Sequence, residues 1–183
     1  MNNKSKLIPL AQGGMIAALY TVATLALAPL SFGPVQFRAS EALTVLPVFT
    51  FSAVPGLTVG CVISNAVGAA TGANIAGWLD VLLGSLATLM AAICTRMLRN
   101  VEFKGIPLLA LIPPVIFNAL IVGAELSLFI PEGDPFWFCL LTVGAGELGV
   151  VLILGIPLII ALRKTKFFAD GKKSLKSGYT ENI

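Results

Sequence analysis

Histidine is absent from this chain of 183 residues. That absence removes a Ser-His-Asp triad, an H-E-x-x-H zinc site and any histidine proton relay. Cysteine is scarce: Cys61, Cys94 and Cys139 fall on three different apolar runs without C-x-x-C spacing. They read as free buried thiols behaving as small hydrophobes, and no metal or cofactor is expected. No glycine-rich phosphate loop closed by Lys and Ser or Thr occurs, so a process driven by ATP would need a partner to supply the nucleotide chemistry. Charge is scarce too, at 11% of residues, with neither a basic groove nor an aromatic platform for nucleic acid.

What the chain has is apolar length. Hydrophobic residues make up 57% of it and the mean hydropathy is +0.94, which describes an all-α integral membrane protein whose main solvent is lipid. A spanning helix needs roughly 20 apolar residues, so six spans nearly exhaust the chain. The pattern places them at Ile8 to Leu30, Ala39 to Phe51, Val54 to Ala70, Leu79 to Leu98, Ile106 to Phe129 and Phe136 to Leu162. The second is too short to cross about 30 Å of hydrocarbon as an ordinary helix, and is expected to be tilted, partly interfacial or irregular. Gly72, Asn74 and Gly77 punctuate the third and fourth spans; Pro131, Gly133 and Pro135 punctuate the fifth and sixth. The first run carries no small-residue cleavage site and reads as a retained helix.

Every one of the 12 basic residues except Arg38 falls before span one, from the last turn of span four to the start of span five, or after span six. Short loops rich in Lys and Arg stay in the cytoplasm, so both termini are expected there, with Arg38 outside near Glu132 and Asp134. The organisation is then a cytoplasmic tail at 1–7, a six-helix domain at 8–162 in the cell membrane, and a basic cytoplasmic tail at 163–183. The net charge of +3 is a topology signal.

Arg38, Glu41, Asp80, Glu125 and Glu147 interrupt the apolar runs. Ionisable groups at bilayer depth are costly unless they face a protein interior or a watered cavity, which makes each a candidate for a ligand site. Asn118 and Glu125 are seven residues apart, two turns on one helix face. Asp80 opens span four, with Gly84 and Thr88 following on its face. Glu147 lies roughly 18 Å along span six, near the membrane centre. Together with Asn65 they outline a polar pocket in the outer half of the membrane. Simpler roles exist: Asp80 as a helix cap, Glu125 at the interface, Glu147 in an interhelical bond, Arg38 with Glu41 as a local ion pair, and Trp78 and Trp137 as belt anchors. On span one, Gly13, Ala17 and Thr21, flanked by Gly14 and Ala18, make a smooth strip for close helix approach, inside this bundle or against another protein.

Three stretches carry a resemblance: Phe32 to Thr44, including Gln36-Phe37-Arg38-x-Ser40-Glu41-Ala42-Leu43; Val54 to Asn65; and Asp80 to Leu89. Together they resemble the QueT family, over about Leu10 to Leu162. Members are regarded as substrate-binding (S) components of energy-coupling-factor (ECF) transporters. The resemblance implies a six-helix bundle of the S-component type in the bacterial plasma membrane. It would take up queuosine precursors, 7-deazaguanine bases such as the 7-cyano and 7-aminomethyl forms or queuine, with a transmembrane coupling protein and two cytoplasmic ATPases as partners. The protein itself is then a transporter subunit and not an enzyme. The strip on span one would meet the coupling protein. Glu125, Glu147 or Asp80 would accept from the base's N–H donors, Asn118 or Asn65 would serve its carbonyl oxygen, and Phe32, Phe37 or Trp78 would cover it. Arg38 and Glu41 complete the candidate set. Two alternatives stay open: an S component for another vitamin-like solute, and a membrane enzyme using Glu125 and Glu147 as an acid/base pair.

Overall fold

The apolar runs resolve into five long helices and one short helix among them. The computed structural model describes residues 4–33, 36–103, 106–130 and 133–164. Helix α1 is Lys4–Ala26, α2 Ala53–Thr71, α3 Leu79–Met97, α4 Leu108–Phe129 and α5 Phe136–Lys164. Among the described residues these five are long and apolar enough to cross a membrane. The chain is an all-α, multi-pass membrane protein. Helix α1 begins at Lys4, ahead of the expected start at Ile8 and inside the expected tail 1–7. It ends at Ala26, and Ala28–Ser31 forms a separate turn of helix opened by Pro29. Pro131, Glu132, Lys104 and the tail beyond Lys164 lie outside the described residues.

The short second segment explains how the bundle closes. Ala39–Val48 is a 3₁₀ helix, buried at Ser40, Glu41, Ala42, Thr44, Val45, Leu46 and Pro47. Such burial on every side marks an element with the rest of the fold wrapped around it, and it touches all five long helices. A 3₁₀ helix rises about 2.0 Å per residue against 1.5 Å in an α-helix, so ten residues reach about 20 Å instead of about 15 Å. Its two ends are tied to the two ends of α3. Arg38, just before it, pairs with Asp80 at the start of α3, and Arg96 near the end of α3 donates to the carbonyls of Pro47 (2.9 Å) and Val48 (3.3 Å). The 3₁₀ helix and α3 therefore run parallel, and the stretched rise lets the shorter segment follow most of its neighbour.

Three apolar clusters surround it. Ile16, Tyr20, Leu46, Leu57 and Cys61 join α1, the 3₁₀ helix and α2; Ala87, Val122, Leu126 and Val143 join α3, α4 and α5; Val45, Leu111, Val151 and Ile159 join the 3₁₀ helix to the other ends of α4 and α5. The α1–α2 crossing depends on glycine at Gly60, where a Cβ would stand 2.8 Å from Tyr20 Cβ and 2.9 Å from the Ala17 carbonyl oxygen. Thr21 Oγ1 bonds across the same crossing to the Gly60 carbonyl at 3.2 Å. Helices α4 and α5 each contain a π turn, at Asn118–Val122 and Val151–Gly155. At the other end of the bundle Arg163 pairs with Glu102 at 2.8 Å, which brings the end of α5 beside the segment following α3.

Candidate functional site

A three-residue repeat puts Glu41 and Thr44 in one row along the 3₁₀ helix, and Arg38 stands at its N-terminal cap with extended backbone. All three are buried, and the row with its cap serves two adjoining polar clusters.

The first cluster is built around Arg38. Its Nη2 donates to Asp80 Oδ2 at 3.2 Å, Nη1 approaches Cys61 Sγ at 3.8 Å, and the guanidinium carbon lies 5.4 Å from the centre of the Phe32 ring. Asp80 also accepts from Asn74 Nδ2 at 2.8 Å, while Asn65 Nδ2 donates to the Asp80 backbone carbonyl at 2.8 Å. Asn74 reaches inward because the α2–α3 loop turns back through Gly72 (φ 72°) and Gly77 (φ 64°) and its own Oδ1 caps the Ala76 amide at 3.0 Å. The side chain of Asp80 folds over Gly84, where any Cβ would collide with Oδ1. Arg38 and Glu41, three residues apart, do not pair with each other: Arg38 takes Asp80, and Glu41 accepts a short hydrogen bond from Tyr20 Oη.

The second cluster is acidic. Glu41, Glu147 and the Asn118 amide face one another, where the π turn of α4 opens at Asn118 and α5 passes Gly146. Gly146 lets the Gln36 backbone approach, since a Cβ there would stand 2.7 Å from its carbonyl oxygen. Phe37 packs beside Gly149, a turn further on. Glu125 belongs to the first neighbourhood, within electrostatic range of Asp80 and Arg38. Asn118 and Glu125, seven residues apart on α4, thus reach the site at different levels, with the π turn Asn118–Val122 between them. Glu147 faces Glu41, not Glu125.

Several buried polar atoms here lack a hydrogen-bond partner. Among the described residues they include Arg38 Nε, Gln36 Nε2, Asn65 Oδ1, Asp80 Oδ1, Glu41 Oε2, Glu147 Oε1 and both carboxyl oxygens of Glu125. Folded proteins leave few such atoms, and their concentration around one row of one helix marks a place chemically suited to a polar ligand. Carboxylate oxygens dominate the set, so it favours a ligand rich in N–H donors.

Of the expected site residues, the structure brings together Arg38, Glu41, Asn65, Asp80, Asn118, Glu125 and Glu147, with Phe37 at their edge. Trp78 stands apart, 65% exposed on the outer surface. Tyr20, Asn74, Cys61 and Gln36 join the site without having been expected there. Cys61 is no simple hydrophobe, since Asn65 Nδ2 and Thr88 Oγ1 both approach its sulfur at 3.4 Å. Their partners are remote in the chain, so only the polar residue types themselves could have drawn attention. On α1, Gly13, Ala17 and Thr21 turn towards α2, with a Cβ on Gly56 standing 2.7 Å from the Gly13 carbonyl, whereas Gly14 and Ala18 are exposed.

A family model described as QueT transporter matches residues 10–164. The chain is also 36% identical over 89 residues to a protein of Lactococcus lactis subsp. cremoris (strain MG1363) named queuosine precursor transporter QueT. That match covers 48% of this chain and 48% of the relative, so it spans about half the length of each. No solved structure matches.

Proposed function

The chain belongs to the QueT transporter family, and from that premise we propose that it is the substrate-capture (S) component of an ATP-driven ECF importer for queuosine precursors, the 7-deazaguanine bases. The observation that carries the proposal is the set of buried, unpartnered acceptors around the 3₁₀ helix with an arginine among them. A deazaguanine presents a ring N–H, an exocyclic amine and a pyrrole N–H beside one carbonyl oxygen, a donor-rich pattern that this set complements. Glu125, Glu147 and Asp80 supply acceptors, and Asn65 and Asn118 supply amides. An aminomethyl cation on the base would meet the surplus carboxylates of Glu41 and Glu147.

In this reading the 3₁₀ helix is the second of six crossings, and both termini are cytoplasmic, as the distribution of Lys and Arg suggests. The exposed edge of α1 at Gly14 and Ala18 meets the coupling protein, and two cytoplasmic ATPases supply the energy. Ala18→Trp is expected to abolish uptake while leaving binding intact; normal uptake by that variant would remove the edge from consideration.

The deciding experiment is calorimetry of the purified full chain against 7-cyano- and 7-aminomethyl-7-deazaguanine, queuine, guanine and a panel of vitamins. Tight binding of a deazaguanine with guanine excluded is the expected result. Binding of a vitamin would keep a transport role and discard this substrate.

A further inference from the structure

Arg38 is held at both terminal nitrogens and on one face, and its remaining nitrogen is buried without a partner. Asp80 takes Nη2, Cys61 stands against Nη1, and Phe32 lies on the guanidinium face, while Nε is buried without an acceptor. Asp80 has the complementary defect: Oδ2 takes Arg38 and Asn74, but Oδ1 is buried without a donor. An arginine and a carboxylate commonly close with two parallel hydrogen bonds. This pair makes one, because Oδ1 is directed over Gly84, a position that a side chain at residue 84 would forbid. The ion pair therefore keeps one open donor and one open acceptor, on side chains no more than 5% exposed.

A carbonyl oxygen in the ligand must meet a donor. Among the described residues the buried, unpartnered side-chain nitrogens and hydroxyls are Arg38 Nε, Gln36 Nε2, Ser31 Oγ and Ser85 Oγ. Arg38 alone of these is bonded to a side chain that has an open acceptor. Resting on the deazaguanine reading, we propose that the Arg38–Asp80 pair reads the lactam edge of the base: Nε–H donates to the exocyclic carbonyl oxygen and Oδ1 accepts from the neighbouring ring N–H. Cys61 is the positioning residue. Its sulfur gathers Arg38 Nη1, Asn65 Nδ2 and Thr88 Oγ1, and so fixes the rotation of the guanidinium fork that aims Nε.

The test compares 7-aminomethyl-7-deazaguanine with its analogue lacking the 6-oxo group, which has neither the carbonyl nor the ring N–H, by calorimetry on the full chain. Removal of the 6-oxo group should weaken binding to the wild type about 100-fold. In an Arg38→Gln, Asp80→Asn double variant the same removal should cost less than about 5-fold, because the edge is no longer read. Cys61→Ala, which alters no formal charge, should shrink the penalty to about 10-fold, and Cys61→Ser should restore part of it. These single variants carry the test if the double variant does not fold. An unchanged penalty in Cys61→Ala would overturn the positioning role, and a wild type indifferent to the 6-oxo group would overturn the lactam assignment while leaving the ligand class intact. Failure of the parent base to bind at all would instead overturn the reading on which the proposal rests.

Discussion

The two polar clusters differ in how they are satisfied. In the first, Arg38 meets a carboxylate, a thiol and an aromatic ring, and the carboxylate residue in turn accepts from two asparagine amides. Around Glu147 two carboxyls and an amide face one another, the amide standing at the start of the π turn of α4. A buried charge with its partners in place holds elements together, whereas acceptors left open are a liability to the empty fold. Both clusters keep unpartnered acceptors, but of the two the first holds a buried ion pair, so in the proposed function it is architecture that also binds while the second serves recognition.

Stability and affinity should separate accordingly. Asp80→Ala strands Arg38 in the interior and is expected to cost about 3–5 kcal/mol, read by thermal unfolding in detergent; a cost under about 1 kcal/mol would mean that the pair is not what joins α3 to the 3₁₀ helix. Tyr20→Phe removes the hydrogen bond to Glu41 and should cost about 1–3 kcal/mol by the same assay. That loss ties the recognition side to α1, and an unchanged melting temperature would untie it. Glu147→Gln should shift stability by less than about 1 kcal/mol in either direction, since an amide can donate to Glu41, yet weaken ligand binding about tenfold to hundredfold. Equal damage to both quantities would erase the distinction between the clusters. Trp78→Ala, at an exposed position, should change stability by less than about 0.5 kcal/mol and leave affinity alone; a loss of binding would bring the outer surface into the site.

Much of this was legible in composition and spacing. Arg38, Glu41, Asp80, Glu125 and Glu147 were visible because an ionisable residue in an apolar run has few reasons to be there. Their grouping was less so. Which carboxyl faces which depends on the long-range fold, and the π turn at Asn118–Val122 is not encoded by residue type in any simple way. Tyr20, Asn74 and Cys61 looked ordinary because their roles depend on contacts made across the fold. The smooth strip on α1 was readable as a strip, but which of its residues face inward depends on where Gly56 and Gly60 bring α2. The shortness of the second span was plain; that it would be a stretched 3₁₀ helix, buried on every side, follows from the company it keeps and not from Ala39 to Val48 alone.

That helix also sets a rule for how the protein can change. With three residues per turn, the rows led by Ala39, Ser40 and Glu41 repeat like a triplet reading frame. Inserting or deleting one residue rotates everything beyond it by about 120°, turning Glu41 or Thr44 out of the polar row and an apolar neighbour in. Because this helix is buried on every side, it can lengthen or shorten without turning its rows only in threes, and its phase constrains the fold as tightly as its composition.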